Sequence, residues 1–492
     1  MKKIKGIILL FTGLFITSCT LFSQYRISVQ IPDFANDTLI FGNYFNETIM
    51  IADTFLTDEQ GSATITGEKA LPEGMYTIYF PNQSRLDLLI GKDQIFSVSS
   101  DTTNMVNDTK FKGSEQNTAF YDYLSFLSAK RKETQPWSQK LRNPSGRQDS
   151  VTAKENLDRI NKEVKDYVDR LIDKNEGTFL AAFLKSMKEV DVPEAPRDEN
   201  GVISDSSFQA RYFKQHYFDN FDLSDVRLLR TPLYSQKLKT YLDRWVYPDP
   251  DSIYREVDTL IAASRSDTLL FKYMLTTLFN YYANSKYIGM DAVYAYIAEN
   301  YYIPEATWSD TAFIRKLKDR VKKIDPLVIG KKAPDIRLVS IPDEHFRAAA
   351  EDTALERNPY VGDFFNLSSI KSKFLIVYFW EADCGHCQKA IPVLYQVYDK
   401  LKDKGLQVIA VNMLGGVEGK VKWVDFVNSN GLYGWINAWN PYDYSYRDAF
   451  DVNSSNIIYL LDKDKKIIAK RIGPEQAEKI IEEKLKEEHN GK

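Results

Sequence analysis

Cysteine and histidine are scarce in this sequence, which holds three cysteines and four histidines among 492 residues. So few cysteines cannot staple a chain of this length with disulfide bonds, and each one is better interpreted for its own chemistry. Four histidines leave little room for a metal cluster. We therefore expect neither a metal site nor a cofactor.

An excess of basic charge is also absent, because 64 Lys and Arg residues are matched by 68 Asp and Glu residues, for a formal net charge of -4. A protein that binds nucleic acid by neutralising phosphates needs such an excess. The composition, 43% hydrophobic and 27% charged, is that of a globular protein, and the length predicts two or three domains. Partners are therefore expected among proteins or small molecules, and not nucleic acids.

A short apolar run at residues 7–16 follows Lys2, Lys3 and Lys5. Its length of about ten residues is too small for a membrane-spanning helix, which needs about 20. A charged start followed by a short apolar run is typical of an export signal. The run ends in Ile16-Thr17-Ser18-Cys19, which resembles the lipobox of bacterial lipoproteins.

These features predict an exported lipoprotein of the cell envelope that faces the periplasm and is held at the membrane by its lipid. The signal peptide would be residues 1–18, with lipidation at Cys19 and a tether over residues 19–24. The alternative is a plain signal peptide that is cleaved near Ser23 or Gln24. Both interpretations place the mature protein outside the cytoplasm.

The first mature domain is predicted over residues 25–112 as a small all-β sandwich. Short β-rich segments recur there between turn signals such as Pro72-Glu73-Gly74. This spacing is typical of sandwiches. The segments are residues 38–41, 63–66, 75–80 and 94–98.

The second domain is predicted over residues 113–325 as all-α. Apolar residues there recur at the three- and four-residue steps of a helix face, and Thr231-Pro232 and Asp249-Pro250 resemble helix starts. The apolar face comprises Leu157, Ile160, Val164, Val168, Leu171 and Ile172. The block is also rich in aromatic residues: Phe279, Tyr281, Tyr282, Tyr287, Tyr294, Tyr296, Tyr301 and Tyr302. These could form a platform for a glycan or an extended peptide, but helical spacing more often indicates core packing.

The third domain is predicted over residues 326–490, where strands and helices alternate. Their order gives a βαβ unit followed by a ββα unit, hence a mixed sheet covered by helices, which is the arrangement of an α/β thioredoxin-like fold. The strands are predicted at residues 374–380, 406–411, 457–461 and 466–472, and the helices at 384–402, near 421–427 and from Pro474.

The sequence Cys384-Gly385-His386-Cys387 comes three residues after the buried strand and opens the next helix. A thiol at a helix start lies near unpaired N–H groups and the positive end of the helix dipole, which favour the thiolate. Cys384 is therefore the expected nucleophile. Cys387, one turn inside the helix, is placed to resolve the mixed disulfide that Cys384 forms with a substrate.

Other chemistries fit the motif less well. A haem attachment site needs a histidine directly after the second cysteine, where Gln388 stands. A zinc site needs two more ligands, and only His216, His345 and His489 remain outside the motif. A structural disulfide is the remaining alternative. Protonated His386 can stabilise the thiolate, which makes the oxidised pair a better oxidant.

A family resemblance is carried by three segments around the motif: Gly330-Lys331-Lys332-Ala333-Pro334-Asp335, Tyr378-Phe379-Trp380-Glu381-Ala382-Asp383-Cys384-Gly385-His386-Cys387, and Pro392. On these residues the last third of the chain resembles the thioredoxin superfamily, and within it the TlpA/ResA-like thiol-disulfide oxidoreductases of the bacterial envelope. The upstream domains resemble the β and helical modules of multidomain envelope lipoproteins. The resemblance implies protein thiol or disulfide substrates and a reductase that is supplied by a membrane electron donor.

The sequence departs from the family pattern in two places. The family normally has a cis proline at the strand facing the cysteines, where this chain has Ser455-Asn456. A cis bond before a non-proline residue costs about 2.5–4 kcal/mol, so we expect a trans or strained Asn456. Glu381 and Asp383 flank the site, and a carboxylate there opposes the thiolate or takes the proton of Cys387.

Two functions follow. The first is an envelope thiol-disulfide oxidoreductase whose direction of transfer is open, since His386 favours an oxidant or isomerase and the family resemblance favours a reductase. The alternative is a non-catalytic binding lipoprotein that docks a protein or glycan on the thioredoxin fold and an aromatic helical surface. Trp380, four residues before Cys384, is placed to report the redox state by fluorescence.

Overall fold

The computed structural model describes residues 24–358 and 361–490. The predicted signal peptide, Cys19 and all of the predicted tether except Gln24 lie outside these residues. Within the described ranges, no helix combines the length and the apolar character needed to cross a membrane. The chain divides into two compact units, with the division between Trp245 and Val246.

The first unit begins with an all-β region, as predicted. Its strands are β1 (Tyr25–Gln30), β2 (Thr38–Phe45), β3 (Thr48–Leu56), β4 (Ser62–Gly67), β5 (Gly74–Tyr79), β6 (Arg85–Ile90), β7 (Ile95–Ser99) and β8 (Lys110–Lys112). They form two four-stranded sheets in the orders β4-β1-β7-β8 and β3-β2-β5-β6. Ile27 and Val29 of β1 are buried while the residues around them are more exposed, which is the alternation of a sheet with one covered face.

Helices follow in the same unit. They are α1 (Met105–Asp108), which precedes β8, then α2 (Glu115–Arg142), α3 (Arg147–Lys174), α4 (Phe179–Ser186), α5 (Phe208–Gln215) and α6 (Leu233–Arg244). Ser114 caps α2, because its side chain accepts a hydrogen bond from the backbone N–H of Asn117. The predicted apolar face lies in α3, with Ile160 fully buried. Pro232 comes directly before α6, which confirms the predicted helix start.

The second unit begins with further helices. They are α7 (Pro250–Ala263), α8 (Thr268–Ala283), α9 (Met290–Ile297), α10 (Ile303–Glu305) and α11 (Thr311–Ile324). Asp249 caps α7 at the predicted start, with Pro250 as the first helical residue. Phe279, Tyr282 and Tyr302 are buried, whereas Tyr287 is exposed. Of the eight aromatic residues singled out in this block, three are therefore buried in the core, four are partly buried and one is exposed.

The remaining elements form the predicted α/β fold. The strands are β9 (Arg337–Ser340), β10 (Asp363–Asn366), β11 (Phe374–Trp380), β12 (Leu406–Asn412), β13 (Ile436–Trp439), β14 (Ile457–Asp462) and β15 (Ile467–Lys470). The helices are α12 (Asp343–Ala349), α13 (Thr353–Arg357), α14 (Gly385–Leu401), α15 (Gly416–Asn430), α16 (Ser445–Ala449) and α17 (Pro474–Asn490). The sheet order is β10-β9-β13-β12-β11-β14-β15.

The strand β11 is the centre of this fold, and every one of its residues is buried. It pairs in parallel with β12 and antiparallel with β14. Its alternate residues enter two hydrophobic cores, one on each face of the sheet. A strand covered on both faces must be apolar along its whole length, which is why the sequence predicted its bounds correctly.

The structure confirms the predicted fold class: an all-β region, an all-α region and a thioredoxin-like α/β fold in chain order. It adds β9, β10 and β13, together with the short helices α12, α13 and α16, which the sequence analysis did not predict. The predicted domain limits at residues 112 and 325 stay predictions, since one compact unit can hold more than one domain.

An ionic cluster joins α11 to the loop before β14. The Asp451 carboxylate, with 6% of its side chain exposed, accepts from Arg320 Nη1 at 2.6 Å and from Arg471 Nη2 at 3.0 Å. The same Arg471 group donates to the backbone carbonyl of Asp451. Because a buried carboxylate needs compensating charge, Arg320 ties a helix of the predicted helical domain to the thioredoxin-like fold.

We expect Arg320→Ala to lower the free energy of unfolding by about 1–2 kcal/mol, because Asp451 keeps one of its two charged hydrogen bonds. Denaturant unfolding followed by circular dichroism measures the change. The matched control is Lys323→Ala, which breaks the exposed Lys323–Asp448 pair on the same helix and should change the free energy of unfolding by less than about 1 kcal/mol. Equal losses in both variants would contradict the interpretation.

Candidate active site

The cysteine pair lies where β11 ends and α14 begins. Cys384 is the N-cap of α14, and its Sγ accepts a hydrogen bond from the backbone N–H of Cys387 at 3.4 Å. Cys384 is partly exposed, whereas Cys387 is fully buried in the core beneath it. Both cysteines are free thiols. The structure thus places an accessible sulfur at the helix start, with a covered one a turn further on.

The surroundings of Cys384 favour its thiolate. Partial burial opposes ionisation, but hydrogen bonds from the Cys387 thiol, the Ser455 hydroxyl, and the backbone of Cys387 and His386 outweigh it. Together they hold the pKa of Cys384 below its usual value. Hydrogen bonds to the charged form are the dominant favourable effect, as expected at a helix start.

Cys387 has the opposite character. Burial raises the pKa of its thiol to about 11, and the hydrogen bond to Cys384 acts in the same direction. A backbone hydrogen bond from Glu381 and the hydroxyl groups of Tyr378 and Ser455 partly offset this increase. The two thiols therefore differ in both exposure and acidity, with the accessible one as the stronger acid.

The loop before β14 brings Ser455 and Asn456 to the cysteines, because β14 pairs antiparallel with β11. No peptide bond in the described ranges is cis, so the bond before Asn456 is trans. Asn456 has φ 66°, in the left-handed region that asparagine tolerates better than most residues. The expectation of a trans or strained Asn456 is confirmed.

Tyr378 is a further residue of the site, and we did not single it out from the sequence. It is fully buried in β11, and its hydroxyl donates to Asn456 Oδ1 at 2.9 Å. Burial raises the pKa of Tyr378 far above its usual value, and the nearby Cys387, which is hydrogen-bonded to it, acts in the same direction. A hydroxyl within an otherwise apolar buried strand needs a partner, and that need was the available signal.

The two acidic residues differ in their roles. Asp383 forms an ion pair with Lys422 of α15 at 2.7 Å, and the lysine charge offsets the effect of the carboxylate on the thiols. Glu381 acts through its backbone, which forms hydrogen bonds to both cysteines: its carbonyl accepts from the N–H of Cys384 at 3.2 Å. The expected opposition between a carboxylate and the Cys384 thiolate is therefore not the dominant effect.

The other predicted residues surround the pair at different depths. Gly385 and His386 are exposed, and a Cβ built on Gly385 would meet no atom within 4 Å apart from those of its chain neighbours. Trp380 is fully buried in the same core as Cys387. Pro392 lies within α14 on its exposed side, away from the two thiols.

Three segments of the chain match known families. Residues 329–471 match the AhpC/TSA family. Residues 25–120 and 138–324 match two domains of unknown function, DUF4369 and DUF5106 respectively. The AhpC/TSA match therefore includes the cysteine pair and lies in the thioredoxin-like part of the chain. The two upstream matches carry no functional description.

Curated relatives are similar to a part of the chain. The thiol-disulfide oxidoreductase ResA of Bacillus thuringiensis (strain Al Hakam) is 30% identical over 119 residues, which are 24% of this chain and 66% of the relative. ResA of Bacillus thuringiensis subsp. konkukian is 29% identical over 174 residues, covering 33% of this chain and 80% of the relative. The first of these alignments spans slightly less than two thirds of the relative's length.

A solved structure is also similar to the chain. It is a thioredoxin-like protein from Bacteroides caccae, with 18% sequence identity and a TM-score of 0.42. The similarity covers 60% of this chain and 98% of that one.

We expect Ser455→Ala to raise the pKa of Cys384, because it removes one hydrogen bond to the thiolate. The pH profile of iodoacetamide alkylation, followed at Cys384 by peptide mass spectrometry, should move upward by about half to one pH unit. Below the pKa, the variant then holds less thiolate and reacts more slowly. Ser454→Ala is the control, since Ser454 is exposed and adjacent; an equal movement in both variants would contradict the role of Ser455.

Proposed function

This chain carries a TlpA/ResA-like domain of the thioredoxin superfamily, and we propose that it is a thiol-disulfide oxidoreductase of the bacterial envelope. The observation that carries the proposal is the unequal cysteine pair: a partly exposed Cys384 with a lowered pKa and a buried Cys387 with a pKa raised to about 11. Thiol-disulfide exchange needs this division between an attacking and a resolving sulfur.

The first step uses Cys384. Its thiolate attacks one sulfur of a substrate disulfide, the bond between the two substrate sulfurs breaks, and the departing sulfur leaves as a thiolate that takes up a proton. A mixed disulfide between Cys384 and the substrate remains. The partial exposure of Cys384 supports this step, because a substrate can reach its sulfur from solvent.

The second step uses Cys387. Its sulfur attacks Cys384 Sγ, the substrate is released as a dithiol, and the two cysteines form a disulfide. The reverse sequence oxidises a substrate dithiol. The net direction depends on the reduction potential of the pair against its partners, and the stabilised Cys384 thiolate favours the reduced form of the pair. A redox titration followed by Trp380 fluorescence measures this potential.

The location in the envelope is supported by the amino-terminal sequence. Lys2, Lys3 and Lys5 precede the apolar run at residues 7–16, which ends before Cys19. We propose that Cys19 carries a lipid anchor and that the redox domain faces the periplasm. In the reductase direction, a membrane electron donor would return the oxidised cysteine pair to the dithiol.

The binding-lipoprotein alternative is less well supported. Its aromatic surface would need the tyrosines and phenylalanines of the helical block to be exposed, but Phe279, Tyr282 and Tyr302 are buried. In addition, a protein that only docks partners does not need two thiols of unequal acidity. The alternative predicts normal function after both cysteines are replaced by serine.

Cys387→Ala should trap substrate proteins on Cys384, because the mixed disulfide can no longer be resolved. Trapped partners are detected as high-mass bands that disappear on reduction in non-reducing gels of envelope extracts. Cys384→Ala should trap far fewer, since the buried thiol is a poor nucleophile. Absence of trapped partners in the first variant, together with no thiol exchange by the wild type, would contradict the proposed function.

Cys19→Ser should release the protein from the membrane fraction, because the anchoring thioether can no longer form. Fractionation of cells followed by immunoblotting measures the distribution. Cys384→Ser is the matched control and should stay with the membrane. A Cys19→Ser protein that remains in the membrane fraction would show that a lipid on Cys19 is not the anchor.

A further inference from the structure

Tyr378 carries a polar group from the centre of the sheet to the resolving cysteine. Its residue is fully buried in β11, and its hydroxyl donates to Asn456 Oδ1 at 2.9 Å. Cys387 belongs to the same buried cluster and lies near enough for the hydroxyl to act on the pKa of its thiol. A tyrosine hydroxyl holds one hydrogen to donate and also accepts. It can therefore donate to Asn456 while Cys387 is a thiol, and to Cys387 once that sulfur is ionised.

A hydroxyl that can donate to a thiolate is needed at Cys387 more than at Cys384. The nucleophile receives backbone hydrogen bonds from both Cys387 and His386, whereas Cys387 has one backbone partner, Glu381, and its other offsetting groups are the hydroxyls of Tyr378 and Ser455. Cys387 must lose its proton before it attacks, and this loss leaves negative charge on a buried sulfur. A buried charge without a donor is strongly disfavoured, and Tyr378 lies where the charge forms.

We propose that Tyr378 is a catalytic residue of the resolving step, in which its hydroxyl donates to the Cys387 thiolate that attacks Cys384, and that Asn456 positions the hydroxyl. The proposal rests on the proposed function and adds a role that acts only in its second step. It also gives Asn456 a use for its side chain at a position where the related domains normally carry a proline.

The step balances without any further reagent. The Cys387 S–H bond breaks, the bond between Cys384 and the substrate sulfur breaks, and a new bond joins Cys384 to Cys387. The Cys387 sulfur is oxidised and the substrate sulfur is reduced by the same electron pair. The proton of Cys387 ends on the departing substrate sulfur, and Tyr378 keeps its own proton throughout.

Few groups other than Tyr378 face Cys387 and could stabilise its thiolate. The titratable ones are Tyr378 from β11 and Cys384 at the start of α14. The loop before β14 supplies the uncharged hydroxyl of Ser455, and Glu381 supplies a backbone group. Among these, Tyr378 is the group that can be changed without altering the cysteines, the helix start or the Ser455 contact to both sulfurs.

The experiment mixes the reduced full-length protein with dithiobis(nitrobenzoate) and follows the absorbance of released thionitrobenzoate. The first phase reports attack by Cys384, and the second reports resolution by Cys387, which releases a second thionitrobenzoate. A Cys384→Ser, Cys387→Ser double variant gives the background from Cys19. Tyr378→Phe should slow the second phase about three-fold or more, because the loss of thiolate from a rise of about one pKa unit is partly offset by the higher nucleophilicity of a more basic sulfur. The first phase should stay unchanged.

Two further variants complete the test. Tyr234→Phe is the matched control, because it removes another buried hydroxyl hydrogen bond, from Tyr234 to the Leu223 carbonyl at 2.9 Å, in the first compact unit of the chain. It should change neither phase. Asn456→Gly keeps the left-handed backbone available and removes the amide, so it should slow the second phase less than Tyr378→Phe does.

The pH dependence separates catalysis from a structural role. In Tyr378→Phe the second-phase rate should rise with pH over a range about one unit higher than in the wild type, because the thiolate of Cys387 has lost a donor. An unchanged second phase in Tyr378→Phe, or equal slowing in Tyr234→Phe, would overturn the inference while the first phase still supports the proposed function. Should Tyr378→Phe fail to fold, an unchanged second phase in Asn456→Gly would overturn the positioning role. A wild type with no first phase above background would instead overturn the proposed function itself.

Discussion

The hydrogen bonds that converge on Cys384 at the start of α14 are the interaction on which the site depends. They come from the backbone of the helix itself, from the Cys387 thiol and from Ser455, and together they outweigh the burial that opposes ionisation. These donors point at the Cys384 sulfur because the start of α14 is held in place by the end of the buried strand β11. The position at which β11 ends therefore decides where the thiolate forms. The neighbouring strand β14 decides which loop supplies the remaining hydrogen bond to that thiolate.

That loop is supported from several directions. Asp451 binds Arg320 and Arg471, and Tyr459 of β14 donates to the carbonyl of Phe450 at the start of the loop. At its other end, Asn456 has a left-handed backbone and accepts a hydrogen bond from Tyr378. A backbone conformation of this kind persists only when its surroundings hold it. The structure thus replaces a proline, whose ring would restrict the loop locally, with tertiary contacts.

The two thiols illustrate how position changes acidity within one turn of helix. The same side chain has a lowered pKa at the N-cap and a pKa of about 11 in the core beneath it. Charged residues have less influence than the sequence suggests, since Asp383 is paired with Lys422. Desolvation and short-range hydrogen bonds therefore dominate, because both act at the sulfur atoms themselves.

Much of this could be predicted from the amino-acid sequence. The uniform apolar character of residues 374–380 predicted the central strand, and the two cysteines that follow predicted the helix start and the order of attack, because both depend on local periodicity and on neighbours along the chain. The strands β9 and β13 were missed, since short segments of four residues carry too little periodicity.

The partner groups of the site were decided by tertiary structure alone. Tyr378 and Asn456 are far apart in sequence, and no local pattern shows that an antiparallel pairing of β11 and β14 places them 2.9 Å apart. The same holds for Lys422, which neutralises Asp383 from another helix. Local sequence thus determined which atoms react, whereas long-range strand pairing and helix packing decided which groups surround them, because hydrogen bonds and burial depend on distances in space.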